Sequence, residues 1–368
     1  MVTYKIRVNR PCRLFIDDEE IAILEELKIF SIELPEGDYL RKVVAVDDFS
    51  IVDEQVISLS KIAKLDIITL SVCGLDDVKF NVFRDLEVFK VDDLYYKYDK
   101  RFGSIFVSSE DIELGNSYTL ENVNIPEYIY YKGFRFLVSG IAGHAFSRCK
   151  SLRSIKIPNT ITYIGNYAFS NSSIRSIDIH KDVSFIGNGV FSQCEYLTSI
   201  NVDERNSQYL SIDGVLFSRG YGQEPDYSLV AYPASREGSY HVPHDVKKIL
   251  ESAFSGSKYL TNVNFSDSVS EIGSGAFFGC ISLNSLKVGI GVEKIEQWAF
   301  ASCSYLTSIT IPKSIRSMDS QVFMNCNELT DIYYHGSIKQ WNSIDFGFFS
   351  LDFKNSVTIH CIDGEIEM

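Results

Sequence analysis

The side chains most able to do chemistry are few and scattered. The histidines are His144, His180, His241, His244, His335 and His360. Only His241 and His244, in H-V-P-H, stand close enough to suggest a metal pair, with Asp245 as the neighbouring carboxylate, and a solvated turn is the commoner fate of that spacing. The acids Asp17, Asp18, Glu19 and Glu20 have the hardness a cation site needs, yet consecutive acids usually form a solvated turn. The chain contains no G-x-S-x-G elbow, no H-E-x-x-H, no P-loop and no C-x-x-C. No catalytic constellation emerges, so the expectation is a protein that is not an enzyme and needs no cofactor or metal.

The cysteines point to architecture instead. Of eight, Cys149, Cys194, Cys280, Cys303 and Cys326 occupy one equivalent position of a repeat. That repeat, I-G-x-x-A-F-x-x-C-x-x-L-x-x-I-x-I-P with variations, places Phe at 146, 169, 191, 254, 277, 300 and 323. Successive spacings are 23, 22, 63, 23, 23 and 23. A short unit recurring at a fixed period cannot bury its own apolar side and must stack on its neighbours, which builds a solenoid. Paired strands would then put successive cysteines about 5 Å apart, near enough for disulfides to be conceivable. Side chains aligned in parallel aim poorly at one another, which favours buried free thiols.

Within the unit, L-x-x-I-x-I alternates as a strand with one face in the core, so Leu152, Ile155 and Ile157 point inward. The A-F step, taken as following Gly or a small polar residue, is a tight turn that drops one aromatic ring inward, and repetition predicts a stack of Phe rings. Between Phe191 and Phe254 lie 40 residues beyond one repeat. There D-G stands between apolar segments in Asn206 to Ser218, a hairpin signal. Extra strands continuing the stack are expected, with Arg219 to Tyr227 projecting as a loop.

Composition narrows the class. At 45% hydrophobic residues the chain can fill a continuous core, and 25 Phe with 21 Tyr suits half-buried strands. A net charge of −14 with scattered Lys and Arg makes nucleic acid an improbable partner. No run reaches the roughly 18 apolar residues needed to cross a bilayer, so membrane insertion is not expected. Charges interrupt the opening MVTYKIRVNRPCRLFIDD before a signal-peptide core forms, which gives a cytoplasmic expectation.

The I-G-x-x-A-F-x-x-C-x-x-L-x-x-I-x-I-P register, with the D-G-V-L-F and Y-P segments of the insertion, resembles BspA-like leucine-rich repeat proteins from about Phe89 onward. Residues 1–68 alternate apolar and polar at short intervals, and L-P-E-G-D-Y is similar to PEGA-type β domains. The expected fold is mainly β: a small N-terminal antiparallel β-sandwich (1–68), a connector (69–88), and a leucine-rich-repeat solenoid (89–368). The solenoid would comprise an N-terminal cap (89–138), the insertion (203–248) and a C-terminal cap (331–368), with Trp341 closing the last apolar face. The resemblance implies bacterial surface proteins of adhesion and partner binding, so a cell-surface or secreted location is the alternative to the cytoplasm.

Function is then sought on the strand residues that face away from the core. These form a ladder of small polar groups with a basic start: Arg153, Lys156, Arg175, Asp178, Asn201, Asn264, Lys287 and Tyr333 are its candidate contacts. Short side chains lose little rotamer entropy on docking, which suits a protein or glycan partner. Tyr221, Tyr227 and Tyr232 of the insertion are candidate aromatic anchors. A plain solvated β-face remains the simpler explanation of the same ladder. A self-assembling structural protein that pairs with its own copies is the alternative function.

Overall fold

A computed structural model of the chain describes residues 88–368 apart from 100–103, 111–117, 132–133, 221–225, 320 and 348–355, together with the backbone of seven strands before residue 88. Two compact units result: Met1–Phe106 with Tyr128–Val138, and Val107–Glu127 with Ser139–Met368. In the first unit Val2–Val8 pairs antiparallel with Ile29–Leu34 and parallel with Ile67–Leu70. Cys12–Ile16 pairs with Glu19–Leu24 and with Asp38–Ala45, which also pairs with Val52–Ser58. The PEGA-like core expected for 1–68 and the connector 69–88 depend on side chains outside the described residues. Further on, Phe89–Val91 and Leu94–Asp99 form a hairpin whose turn holds Asp92 at φ 51°.

The second unit is the solenoid, and three ladders run along it. In the first, Asn122–Asn124 pairs in parallel with Ser154–Lys156, Ser176–Ile179 with Ser199–Val202, and Gly238–His241 with Leu260–Asn264. Leu260–Asn264 and Ser285–Lys287 are not paired, and from Ser285–Lys287 the ladder runs unbroken through Ser308–Ile311, Asp331–Tyr334 and Thr358–Cys361. The second ladder uses strands of two residues, Tyr163–Ile164 and Phe185–Ile186 before the insertion, then Glu271–Ile272, Lys294–Ile295 and Ser317–Met318 after it. The third is the A-F turn. Among the described residues the Phe N–H donates to the next repeat in five of the seven turns, as in Phe146 to the Ala168 carbonyl at 2.7 Å and Phe277 to Ala299 at 2.7 Å.

Those turns explain the repeat at the level of the backbone. The residues two before and two after each Phe adopt left-handed φ: His144 and Arg148 at 60° and 61°, Trp298 and Ser302 at 59° and 60°, Gly275 and Gly279 at 55° and 70°. The expectation of Gly or a small residue before A-F therefore needs correction, because His144, Tyr167, Trp298 and Gln321 occupy that position. A non-glycine side chain there costs about 1 kcal/mol or more, and the inward Phe offsets it by stacking. Ring centroids lie 5.4 Å apart for Phe146 and Phe169, 4.7 Å for Phe254 and Phe277, and 5.3 Å for Phe277 and Phe300, all near-parallel.

The cysteine row has a specific structural use. Cys194, Cys280, Cys303 and Cys326 donate Sγ–H to the carbonyls of Phe169, Phe254, Phe277 and Phe300 at 3.0, 3.2, 3.2 and 3.1 Å. A small side chain is what this position requires, and Ser172 and Ser257 fill it in the other two repeats. All five cysteines are buried free thiols. Burial pushes the thiol of Cys194 up to about 11 and that of Cys326 up to about 12, so they remain protonated donors.

The 40 additional residues preserve one link of the A-F edge, while the Ala253 carbonyl accepts from Tyr232 N–H at 2.7 Å instead of from Phe191. Gln193 N–H donates to the Ser255 carbonyl at 2.9 Å, the same link that joins Arg148 to Ser170 at 2.8 Å in adjacent repeats. Lys258 also reaches Glu195 at 2.6 Å across the join. The insertion emerges on the opposite side, where Tyr209–Ile212, Val215–Arg219 and Tyr227–Ala231 pair antiparallel. Asp213 and Gly214, both at positive φ, make the D-G turn. Asn206 starts the departure: its Nδ2 donates to the carbonyls of His180 and Val183, and its Oδ1 accepts from the N–H groups of Gln208 and Tyr209. Residues 221–225, which include Tyr221, lie outside the described residues.

At the far end, Thr358–Cys361 turns back into Gly364–Glu367. A one-turn helix, Ile338–Trp341, capped by Ser337, places Trp341 at 3% exposure with its ring edge-on to Tyr334 at 5.2 Å.

Candidate binding face

Alternation on the first ladder sets which side chains reach solvent. Arg153, Lys156, Arg175, Asp178, Asn201, Asn264, Lys287 and Tyr333 are all exposed. Strand register joins several of them. Asn124 is paired with Lys156, Asp178 with Asn201, and Lys287 with Thr310, which is itself paired with Tyr333. Asn201 donates from Nδ2 to Asp178 Oδ1 at 2.8 Å. Arg153 and Arg175 are neighbours through an N–H to carbonyl bond of 3.1 Å. The row is divided by the insertion, whose strand Gly238–His241 pairs next to Leu260–Asn264, so that Asn264 faces His241 instead of Asn201.

The insertion tyrosines do not serve as expected. Tyr232 is 4% exposed and packs on Phe254 at 4.9 Å, so it is a core residue. Tyr227 is half-buried against the same core. Its strand position, paired with Val246, turns the ring partly inward. The exposed aromatics lie elsewhere: Tyr196, Tyr259 and Tyr305, at 55%, 53% and 62% exposure, share the position just before the repeat leucine. The segments C-E-Y-L, S-K-Y-L and C-S-Y-L carry that signal in the sequence.

Besides the insertion, the first ladder lacks strand pairing in two places, and the gap between Leu260–Asn264 and Ser285–Lys287 is the one that stays closed. Ser154–Lys156 and Ser176–Ile179 are not paired as strands, although each pairs on its other side. Ile155 and Ile157, expected to point fully inward, are only half-buried here, whereas Val263 and Leu286 at the other unpaired join are closed. At the register of Ile155 the A-F repeats are closed, with Ile177 2%, Ile200 0%, Val263 2%, Leu286 3% and Ile309 1% exposed, while Tyr240 of the insertion is half-buried. The opening forms a cleft of about 520 Å³ between Ile155, Lys156 and Ile157 on one wall and Asp178, Ile179, His180, Asn201, Val202 and Asp203 on the other. A second hollow of about 370 Å³, which includes Asn124 and Pro126, shares Lys156 and Ile157 with it.

Charges around the cleft differ in their engagement. Asp203 is paired with Arg205 at 2.7 Å, and that guanidinium holds its carboxyl well below the usual range. Burial lowers the pKa of His180, keeping the imidazole neutral, and its Nδ1 accepts from the Asp182 N–H at 3.2 Å. Arg153, Lys156 and Arg175 have no ion pair among the described residues. Metal chemistry gains nothing here: among the described residues no group of three or more His, Cys, Asp or Glu is placed to hold an ion. His241 and His244 turn to different partners, Asn264 at 3.4 Å and Ser266 at 3.3 Å.

A family model described as BspA type leucine-rich repeat region matches residues 115–218 and 235–350 in six copies, well over half of the chain. The chain belongs to that family. The turn ladder, the Phe stack and the cysteine row above are thus the BspA-type repeat seen in atomic detail. A leucine-rich cell surface protein from Faecalibacterium prausnitzii A2-165 is similar, with 22% identity over 72% of this chain and 98% of the other, at a TM-score of 0.45. A leucine-rich repeat protein from Eubacterium ventriosum shares 18% identity over 73% and 91%, at 0.44. The pneumococcal vaccine antigen PcpA shares 17% over 67% and 87%, at 0.43. No curated protein sequence matches significantly. Among the described residues no helix is long and apolar enough to cross a membrane.

Proposed function

We propose that this BspA-type chain is a non-enzymatic recognition module that holds a protein or glycan partner on the first ladder, in an adhesive role. The observation that carries the reading is the corner formed by Arg153, Lys156 and Arg175. Three exposed cations without ion pairs gather there on a chain whose net charge is −14. Unpaired charge on a rigid face supports electrostatic complementarity, which sets specificity and association rate. Short polar groups and the exposed Tyr333 extend that face at small entropic cost. An adhesive role requires exposure at a cell surface, and we propose that location in place of the cytoplasmic one, for which the relatives offer no support.

The test is binding of the purified chain to arrays of glycans and of matrix and cell-surface proteins, with light scattering on the same sample. A saturable hit that weakens at least tenfold when Arg153, Lys156 and Arg175 are all changed to Ala is the expected result. A stable oligomer that binds nothing on the arrays would overturn recognition in favour of self-assembly.

A further inference from the structure

Resting on that reading of the face, we propose that the cleft between Ser154–Lys156 and Ser176–Ile179 is a peptide site. Its occupant is an extended segment of a partner protein, seating an aliphatic side chain on Ile155 and Ile157 and a carboxylate against Lys156. The cleft is the place where the first ladder leaves its core row uncovered: Ile155 is half-buried where Ile177, Leu286 and Ile309 are closed to within 3% exposure. An apolar floor under a polar rim, in a volume of about 520 Å³, has the size and character of a ligand cleft.

Shape favours an extended chain. The cleft and the neighbouring hollow join at Lys156 and Ile157, so the open trough passes beside Asn124, Lys156, Asp178 and Asn201 in turn. Four ladder positions at about 4.8 Å span roughly 14 Å, the length of about four extended residues at about 3.3 Å each. Charge fixes the rest of the occupant. Lys156 and the adjacent Arg153 and Arg175 are unpaired, and a carboxylate side chain complements them. On the facing wall Asp203 is neutralised by Arg205, and Asp178 has one oxygen held by Asn201, leaving the other to accept a peptide N–H. No Phe, Tyr or Trp ring lines the cleft, so the broad apolar platform that a sugar ring stacks against is missing, and the glycan alternative is the weaker one at this position.

The experiment is selection of a displayed library of random nine-residue peptides on the full chain, with parallel selection on Lys156→Glu and on Ile157→Asp. Circular dichroism and melting establish that each variant is folded. Lys156 is exposed, so Lys156→Glu is expected to fold normally even if Ile157→Asp does not. Enriched peptides should carry an aliphatic residue flanked by Asp or Glu, and a synthetic peptide of the consensus should bind Lys156→Glu at least tenfold more weakly than the parent. No enrichment over Lys156→Glu, or enrichment of basic or aromatic sequences, overturns the proposal. The array hit, measured on the parent and on Lys156→Glu, separates the two readings. A hit retained by Lys156→Glu alongside an empty peptide selection removes the cleft and leaves the wider face standing, whereas a parent that binds nothing on the arrays and enriches no peptide removes both.

Discussion

The repeats before the insertion and those after it share a backbone and differ in how their side-chain rows close. On the second ladder, the early repeats stack Tyr163 on Phe185 at 4.7 Å, with Phe185 42% exposed. The equivalent row after the insertion is Lys248, Glu271 and Lys294, tied by ion pairs of 2.7 and 3.4 Å. On the first ladder strands part in both halves, at Lys156 and Asp178 and again between Leu260–Asn264 and Ser285–Lys287, but the early gap leaves Ile155 and Ile157 only half-buried while the later one keeps Val263 and Leu286 closed. The A-F turns and inward Phe are alike in both. A solenoid's stability is held by its neighbour-to-neighbour ladder and core, so the outward rows are free to be either self-satisfied or available. The later second-ladder row pairs its own charges; under the proposed function the earlier repeats leave Arg153, Lys156 and Arg175 for a partner.

The strongest way to break this comparison is to truncate the same register in both halves. Leu286→Ala removes a fully enclosed side chain and is expected to cost about 2–5 kcal/mol. Ile155→Ala removes one that water already reaches, for about 1 kcal/mol or less. Urea melts of both variants check the difference. Equal losses would mean that the seam is closed in solution, and the peptide site would fall with it.

The join itself is the next place to press. A Cβ on Gly256 would lie 2.7 Å from the Cα of Gln193, on top of a φ of +79°, whereas one on Gly279 meets nothing within 4 Å at φ +70°. Gly279→Ala should therefore cost about 1 kcal/mol from the left-handed backbone alone, and Gly256→Ala about 2–3 kcal/mol because a backbone contact must also give. Similar thermal shifts for the two would argue that the turn ladder does not run continuously past the insertion.

Much of this was legible in the sequence, and the residues show why the rest was not. The Phe stack, the buried free cysteines and the D-G hairpin follow from period and position, because each is dictated by neighbours one repeat away. The left-handed turns escaped because Tyr167 and Trp298 stand where glycine would be expected, and only the ladder around them enforces that backbone. Tyr232 misled because the aromatic count of the insertion does not say which strand face a ring occupies. The cleft had no signal at all: Ile155 and Ile157 read as core residues, and no residue of their repeat marks the gap to Ser176–Ile179 as open where the gap between Leu260–Asn264 and Ser285–Lys287 is closed. Of the exposed tyrosines, Tyr196, Tyr259 and Tyr305 were readable from their shared register, and Tyr333 from its place on the strand.

The smallest effect sharpens the contrast on the second ladder. Glu271 is held below its ordinary pKa, first by its hydrogen bond from Lys248, with Lys294 adding to it. A folded pKa below the unfolded one means that the pair stabilises the fold above about pH 4.3, the unfolded value, and that the contribution disappears as pH falls through the folded one. Because the three side chains are partly solvated, the gain is at most about 1 kcal/mol and weakens with salt. Glu271→Gln should thus lower stability slightly at neutral pH and low salt, and the difference from the parent should shrink to nothing under acid conditions or in about 1 M salt. Phe185→Leu, in the same row before the insertion, introduces no titrating group, and its effect should be the same across that range. If Phe185→Leu proved as dependent on pH and salt as Glu271→Gln, the two halves would not differ in how their outward rows are held. The division between a self-satisfied half and an available one would then rest on the seam alone.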